Sequence, residues 1–394
     1  MQNFEYCVPT KVVFGRDTEA RCGELVREFG GTHAIVIYGG GSAVRSGLLD
    51  RCTDSLKAAG ITYDLLGGVQ PNPHLSKVRE GVELVKKNGA DFILAIGGGS
   101  VIDTGKAIGY AIANPEVDVW DFFMGKAKPK GCAPLGAVLT ISAAGSETSN
   151  SCVITNEDGW LKKGINYEVS RPRFAIMNPA LTCTLPPYQT ASGGVDIMMH
   201  TMERYFSNTD HTELLDRMSE GLLKTVMVNV KKALADPNDY DARAELMWAG
   251  SLSHNNLMGV GKRQDWATHK IEHELGGMFN VAHGAGLAAV WGSWARYVMH
   301  VNVPRFVRFA VEVMGCEMNY ANPEETALAG VAAFEDFCRS INMPTNLREL
   351  GLPDVTEDQM RTMAEKCTGN DTIVIGGLIR LYADDIAKIY AAAK

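Results

Sequence analysis

No hydrophobic run in this 394-residue chain reaches the ~18 residues needed to cross a bilayer, so a membrane-spanning helix is not expected. The first residues, Met1-Gln2-Asn3-Phe4-Glu5, lack a basic stretch followed by an apolar one; no export signal is expected, and the chain reads as cytoplasmic. An excess of positive charge is also missing. The 38 Lys and Arg against 46 Asp and Glu give a net charge of -8 with no local basic patch, which argues against nucleic acid and anionic membranes as partners. Cysteine pairs are absent: nine cysteines, odd in number and scattered, contain no C-x-x-C, which points to reduced, mostly buried thiols rather than a disulfide framework. There are no low-complexity segments and no tandem repeats. With 46% hydrophobic and 21% charged residues, the composition is that of a folded enzyme, and at roughly 150 residues per domain the length predicts two or three domains.

What is present divides into two rhythms. In the first half, short β-branched runs alternate with amphipathic stretches, as in βα units that feed a parallel sheet. Residues 34–38, 62–66, 92–96, 137–141 and 173–177 read as strands, and 48–59 and 76–88 as helices, the latter with Val78, Val82 and Val85 on one face. After Thr184-Leu185-Pro186-Pro187 the β-branched runs nearly vanish. Leu, Met, Ala and charged residues then recur at helical spacing, as at Leu214, Leu215, Met218, Leu222 and Leu223. The Pro186-Pro187 pair fits neither a central strand nor a helix interior and marks the expected boundary. The expected fold is a Rossmann-like α/β nucleotide-binding domain over residues 1–187, then an all-α metal-binding domain over residues 188–394.

One tetrapeptide occurs twice. Gly39-Gly40-Gly41-Ser42 and Gly97-Gly98-Gly99-Ser100 each follow a strand directly, and the second runs on into a helix. Glycines at such a turn let the backbone approach a ligand and aim several N–H groups at one point, which suits a pyrophosphate. Either copy alone could be a tight turn with no ligand; two at strand ends favour a nucleotide. The G-x-G-x-x-G dinucleotide fingerprint is absent.

The second half carries metal-ligand types at ligand spacing. Asp196 and His200 stand four apart, so on a helix they share one face with Cβ atoms ~5–6 Å from each other. His269 and His273 repeat that spacing, and His283 follows the Gly276-Gly277 pair. A capping or surface pair is the bland reading of Asp196 and His200, whereas two imidazoles on one helix face have few uses other than a metal. Because a straight helix would put His269 and His283 ~21 Å apart, the Gly276-Gly277 pair is expected to break the helix and fold the second segment back. The remaining histidines, His33, His74, His211, His254 and His300, read as surface or satisfied core residues.

Taken together, several motifs in this order resemble the iron-dependent (group III) alcohol dehydrogenases, most closely their NADPH-dependent butanol dehydrogenase and aldehyde reductase branch. The resemblance runs along essentially the whole chain. It rests on Tyr38-Gly39-Gly40-Gly41-Ser42, Pro71-Asn72-Pro73, Gly97-Gly98-Gly99-Ser100-Val101-Ile102-Asp103, Gly145-Ser146-Glu147, Thr184-Leu185-Pro186-Pro187, Gln264-Asp265-Trp266-Ala267-Thr268-His269, and the stretch from His273 to His283. It implies metal ligation by Asp196, His200, His269 and His283, with His273 near the metal but unligated. The cofactor positions it implies are Gly39, Gly40, Ser42, Asn72, Gly97, Gly98, Gly99, Ser100, Asp103, Thr140, Ser142 and Thr184, with Lys162 on the nicotinamide side and Lys163 as its alternative. The chain departs from the family pattern at Asn178-Pro179, where Asp-Pro is common, and at Glu272. The resemblance also implies a homodimer in which the N-terminal segment pairs with its counterpart; Thr10-Lys11-Val12-Val13-Phe14 has the β character for it.

The implied reaction is hydride transfer between NADP(H) and a small, mainly apolar alcohol or aldehyde. A dication on one carboxylate and three neutral imidazoles keeps a net charge of +1, which suits a Lewis acid acting on a carbonyl oxygen. His273 would relay a proton or, in the alternative reading, only orient its neighbours, and Trp266, three residues before His269, would wall the substrate pocket. Fe2+ suits the ligand set, and Zn2+ or Ni2+ would also bind by affinity order. NADP(H) is expected over NAD(H), the competing reading being a permissive Gly39 that gives dual specificity. Strand 34–38 runs into Gly39, where the family's NAD-specific members carry Asp, so no acid repels a 2′-phosphate and Arg45 can supply a charge to it. A metallohydrolase is a weaker alternative, since Lys270 follows His269 where a zincin needs its general-base Glu. A sugar-phosphate cyclase of the dehydroquinate-synthase type would need a Lys and Arg cluster that the segments around the histidines do not provide.

Overall fold

A computed structural model describes all residues, Met1–Lys394, and the chain forms two compact units, Cys7–Thr184 and Leu185–Lys394, the latter joined by Met1–Tyr6. The first unit is built on six parallel strands: β1 (Lys11–Phe14), β2 (His33–Gly39), β3 (Thr62–Val69), β4 (Phe92–Gly97), β5 (Leu135–Leu139) and β8 (Phe174–Met177). Their order is β1-β8-β5-β4-β2-β3. Every residue of β4, β5 and β8 is buried, which is why these runs are continuously apolar rather than alternating: a parallel sheet is covered on both faces. Covering helices include Leu48–Ala58, Leu75–Asn88 and Gly99–Ala113. Gly105 permits the close seat of the last, because a Cβ there would come within 2.7 Å of Leu135.

The expected strands appear within two or three residues at either end. Lys11–Phe14 is a strand, but its partner within the chain is β8, with Lys11 opposite Phe174, so it sits at one edge of the sheet. A second, antiparallel sheet of two strands, β6 (Ser151–Asn156) and β7 (Leu161–Asn166), was not expected. It attaches to the loop after β3, where the Thr155 N–H donates to the Pro73 carbonyl at 2.8 Å.

The second unit is helical, as its composition predicts. Pro187 opens the first helix, Pro187–Tyr205, at a position where proline's missing N–H costs nothing. This helix is buried on all sides from Thr190 to Tyr205, so its polar residues are interior groups. Around it pack Glu213–Ala235, Tyr240–His254, Ala267–Phe279 and His283–Val298, over an aromatic core that includes Phe206 against Phe306 at 4.5 Å and Trp291 against Phe334 at 4.6 Å. The expected break at Gly276-Gly277 is corrected here. Helix Ala267–Phe279 runs through both glycines and ends at Asn280, whose φ of 52° is the left-handed stop that Asn tolerates better than most residues. No helix is long and apolar enough to cross a membrane, and all nine cysteines are free.

Candidate active site

In the first unit, β2 and β4 are neighbours whose chains leave in opposite directions: β3 lies beyond β2, and β5 lies beyond β4. Ligands of open α/β sheets bind outside the carboxyl ends of the strands at such a reversal. Both glycine tetrapeptides lie there, since β2 ends at Gly39 and β4 at Gly97. Gly98 caps helix Gly99–Ala113, and a Cβ on it would come within 2.3 Å of Ile141. Around Gly40 a Cβ would meet nothing within 4 Å, so this loop lies open. Arg45 folds back over it, with Nη1 2.9 Å from where a Cβ on Gly41 would stand.

The loop after β5 carries Thr140 and Ser142. Thr140 N–H donates to the Gly97 carbonyl at 3.1 Å, joining this loop to the second glycine turn, and the buried Ser142 hydroxyl has no hydrogen-bond partner. Asp103 has a different neighbourhood from the glycines. Its carboxylate accepts from the Ser146 hydroxyl at 2.5 Å and from Val153 N–H at 2.9 Å. The fully buried Lys106 donates to the Ser146, Ser149 and Ser151 carbonyls and to the Ser146 hydroxyl, all within 3.0 Å. Asp103 and Lys106 thus hold the 142–151 loop in place. Lys162 is the buried member of the Lys-Lys pair, Asn72 has a left-handed φ of 53°, and Thr184 is exposed. Asn178 donates to Glu19 at 2.9 Å and caps the turn Pro179–Thr182, which gives the departure from Asp-Pro a structural role.

In the second unit, three helices bring together two adjoining groups of metal-ligand types, Asp196, His200 and His269 in one and Glu272, His273 and His283 in the other. Asp196 and His200 come from the buried helix Pro187–Tyr205, His269 from Ala267–Phe279, and His283 is the first residue of the next helix. Asp196 Oδ1 lies 3.9 Å from His269 Nε2 and 3.7 Å from His283 Nε2. His200 turns Nδ1 toward the Asp196 carbonyl at 2.9 Å, and that oxygen can only accept, so Nδ1 carries the proton and Nε2 keeps its lone pair. Donors each ~2.1 Å from one cation at tetrahedral angles stand ~3.4 Å apart, close to these separations and too wide for hydrogen bonds. Asp196 Oδ1 and His269 Nε2 are buried with no hydrogen-bond partner. A cation shared by the four residues would satisfy both atoms, so the donor set fits a divalent metal.

The electrostatics agree. Burial alone would raise the Asp196 pKa, but His200 and His283 hold it well below the carboxylate range. Burial pushes His200 down to about 4 despite Asp196, so its ring is neutral near pH 7. Burial would also lower His269, yet Asp196 and Glu203 flank the ring and raise it, so a cation there must displace a proton as it binds.

Four nearby residues were given no role in the site by the sequence reading. Glu203 Oε1 accepts from His269 Nδ1 at 2.8 Å, from the His269 N–H at 3.0 Å and from Thr268. Glu272 faces His283 Nδ1 in a short contact. Asp265 ties the start of the His269 helix to a distant loop by accepting from Gly377 and Leu378 N–H, both at 2.7 Å. His254, read as an isolated core or surface residue, is buried with its ring 4.0 Å from that of His200, and burial pushes its pKa well down. The signal for Glu203 was its spacing, since Asp196, His200 and Glu203 fall at i, i+4 and i+7 on one helix face. Trp266 lies beside these residues, 5.2 Å from His269 and 6.0 Å from His200 between ring centroids, under the Arg204 guanidinium at 4.5 Å. His273 is buried beside His283 at 5.8 Å.

Comparison with known proteins agrees with this geometry. Residues 9–179 match the family model for iron-containing alcohol dehydrogenase, and residues 190–394 match the C-terminal model of the same family. The chain is 36% identical to NADH-dependent butanol dehydrogenase A of Clostridium acetobutylicum, over 99% of both chains. It is 33% identical to the NADPH-dependent aldehyde reductase YqhD of Escherichia coli over the full length of each. The crystal structure of NADH-dependent butanol dehydrogenase A from Thermotoga maritima superposes with a TM-score of 0.95 at 37% identity, covering 100% of this chain and 99% of that one. Metal-ligand types gathered in a helical unit, glycine turns at the reversal of a parallel sheet, and matches to both halves lead to one conclusion: the chain belongs to the iron-containing alcohol dehydrogenase family and is an oxidoreductase of alcohols and aldehydes.

Proposed function

We propose that this enzyme interconverts small, mainly apolar aldehydes and alcohols with NADP(H), using a divalent metal, Fe2+ first, on Asp196, His200, His269 and His283. The observation that carries the metal reading is the pair of buried atoms without a hydrogen-bond partner, Asp196 Oδ1 and His269 Nε2, which stand 3.9 Å apart. When bound, the metal supplies Lewis-acid polarisation and the nicotinamide supplies or receives hydride. The chain's own residues do the rest. Asp196 provides the single negative charge, and His200, kept neutral by burial, presents a lone pair. The indole of Trp266 offers apolar surface beside the donors, which supports short alkyl substrates over charged ones. His273 is the group proposed to pass a proton between solvent and the substrate oxygen.

Support for NADP(H) comes from the open turn after β2, which carries no acid and has Arg45 folded across it. The names of the relatives divide on this point, NADH for the butanol dehydrogenases and NADPH for YqhD. A homodimer is supported by β1, an edge strand with an exposed Phe14, and a reducing cytoplasm by nine free thiols. The test is metal analysis of anaerobically purified protein together with NADPH and NADH oxidation against a panel of short aldehydes. One equivalent of a divalent metal and faster NADPH oxidation with butanal-like substrates are expected. Full turnover after metal removal, or a preference for charged aldehydes, would overturn the reading.

A further inference from the structure

The two histidines brought in from outside the central helix each have a carboxylate on the ring nitrogen that faces away from Asp196. His269 directs Nε2 at Asp196 and Nδ1 at Glu203; His283 directs Nε2 at Asp196 and Nδ1 at Glu272. An ionised carboxylate can only accept, so each pairing puts the ring proton on Nδ1 and leaves the Nε2 lone pair toward the cluster. Both acids are deep in the protein, Glu203 at 2% and Glu272 at 0% exposure. A carboxylate in such a place is costly unless a specific partner holds it. The packing is shaped around one of them: a Cβ on Gly286 would come within 2.9 Å of Glu272 Cγ, so the glycine in helix His283–Val298 leaves the room Glu272 occupies. The other is fixed by three donors converging on a single oxygen.

We propose that Glu203 and Glu272 are positioning residues of the metal centre, which lock His269 and His283 in the Nε2-ligating tautomer and add their charge to the basicity of those rings. This rests on the reading of Asp196, His200, His269 and His283 as the ligand set. The two acids do not touch substrate; they act through the imidazoles, and their loss weakens hold on the cation before it affects anything else. They also serve the two long-range ligands only. His200 gets its tautomer from a backbone carbonyl four residues away on its own helix, whereas His269 and His283 arrive on separate helices and take theirs from a side chain.

The experiment loads metal-free full-length protein with Co2+, follows its visible absorption, and measures affinity by competition with a chelator. Glu272→Ala and Glu203→Ala are each expected to weaken Co2+ binding about 10–100-fold and to alter the absorption bands, while NADPH binding is retained. Glu272→Gln, nearly the same shape, keeps an acceptor for Nδ1 but loses the charge, and is expected to fall between wild type and Glu272→Ala. His283→Ala is the control. If His283→Ala binds Co2+ like wild type, the ligand set itself is wrong. If His283→Ala loses Co2+ while Glu272→Ala and Glu272→Gln keep wild-type affinity and spectrum, the ligand set stands and the positioning role is overturned. Should Glu272→Ala fail to fold, the Gln variant decides alone: wild-type affinity and bands there would defeat the proposal.

Discussion

Gly39 is where a single side chain can test the proposed preference for NADP(H). A Cβ there would lie 3.5 Å from the Val69 carbonyl and 3.8 Å from Val101, ordinary contact distances, so an acid can be introduced without disturbing the sheet. Gly39→Asp would place a negative charge at the carboxyl end of β2, where it accepts from a ribose 2′-OH and repels a 2′-phosphate. Like charges brought together in a binding site cost about 2 kcal/mol or more, so kcat/KM for NADPH should drop roughly 30-fold while that for NADH holds or rises. Steady-state kinetics with both cofactors checks this, and an equal loss for the two would show that the turn does not read the 2′ position. At this scale the sequence was informative about residues whose chemistry is rare. Spacing alone favoured His269 with His273 and read Asp196 with His200 as a capping or surface pair, so the set Asp196, His200, His269 and His283 came from the resemblance; the fold puts the first three in one group and His283 Nε2 3.7 Å from Asp196. Glu203 and Glu272 were given no role, because an acid on a helix reads as a solvated face until burial is known, and Asp265, which precedes helix Ala267–Phe279, is likewise buried only by tertiary packing.

At the scale of elements, strands and helices with strong periodicity were legible, and connections were not. Hydrophobic runs marked β2, β4, β5 and β8 because a doubly covered strand must be apolar throughout. The hairpin of β6 and β7 was missed: Lys162, Lys163 and Asn166 lie in or beside its strand, and it has too little apolar alternation to announce itself. The Gly276-Gly277 pair misled for the opposite reason, since glycine is tolerated inside a helix packed on both sides and the stop fell to Asn280. Contacts between elements also set acid stability. Asp216, in helix Glu213–Ala235, lies 2.6 Å from the buried Lys262 and 2.8 Å from Arg305 of helix Val303–Arg308. Burial would raise its pKa, but these two cations outweigh that and lower it. A carboxyl depressed in the folded state stabilises above its unfolded pKa, and that contribution is lost as pH falls through the depressed value. Lys262→Met should therefore cost about 3 kcal/mol at neutral pH, by leaving a buried charge with one partner fewer. The gap to wild type should narrow once the pH drops below that of an ordinary Asp. Urea unfolding at pH 7 and at pH 3.5 or so tests the sign; a gap that widens on acidification would contradict it.

Over the whole molecule, the change of rhythm near Pro186 was visible in sequence, but the strand order was not, because pairing β1 with β8 joins residues more than 150 positions apart and leaves no local signature. The result is a division of labour. The glycine turns belong to the unit Cys7–Thr184, whose sheet has its own core, and the four metal-ligand candidates belong to the helical unit, whose core is separate. Sites that share no side chains respond to mutation independently, to a first approximation. His269→Ala and His283→Ala should each remove bound metal and lower turnover at least about 100-fold, since Lewis-acid stabilisation is worth several kcal/mol. The NADPH dissociation constant of the same variants, read from nicotinamide fluorescence, should stay within about threefold of wild type. Near-normal turnover in either variant would sink the metal assignment. Loss of NADPH binding together with the metal would overturn the expected independence of the two.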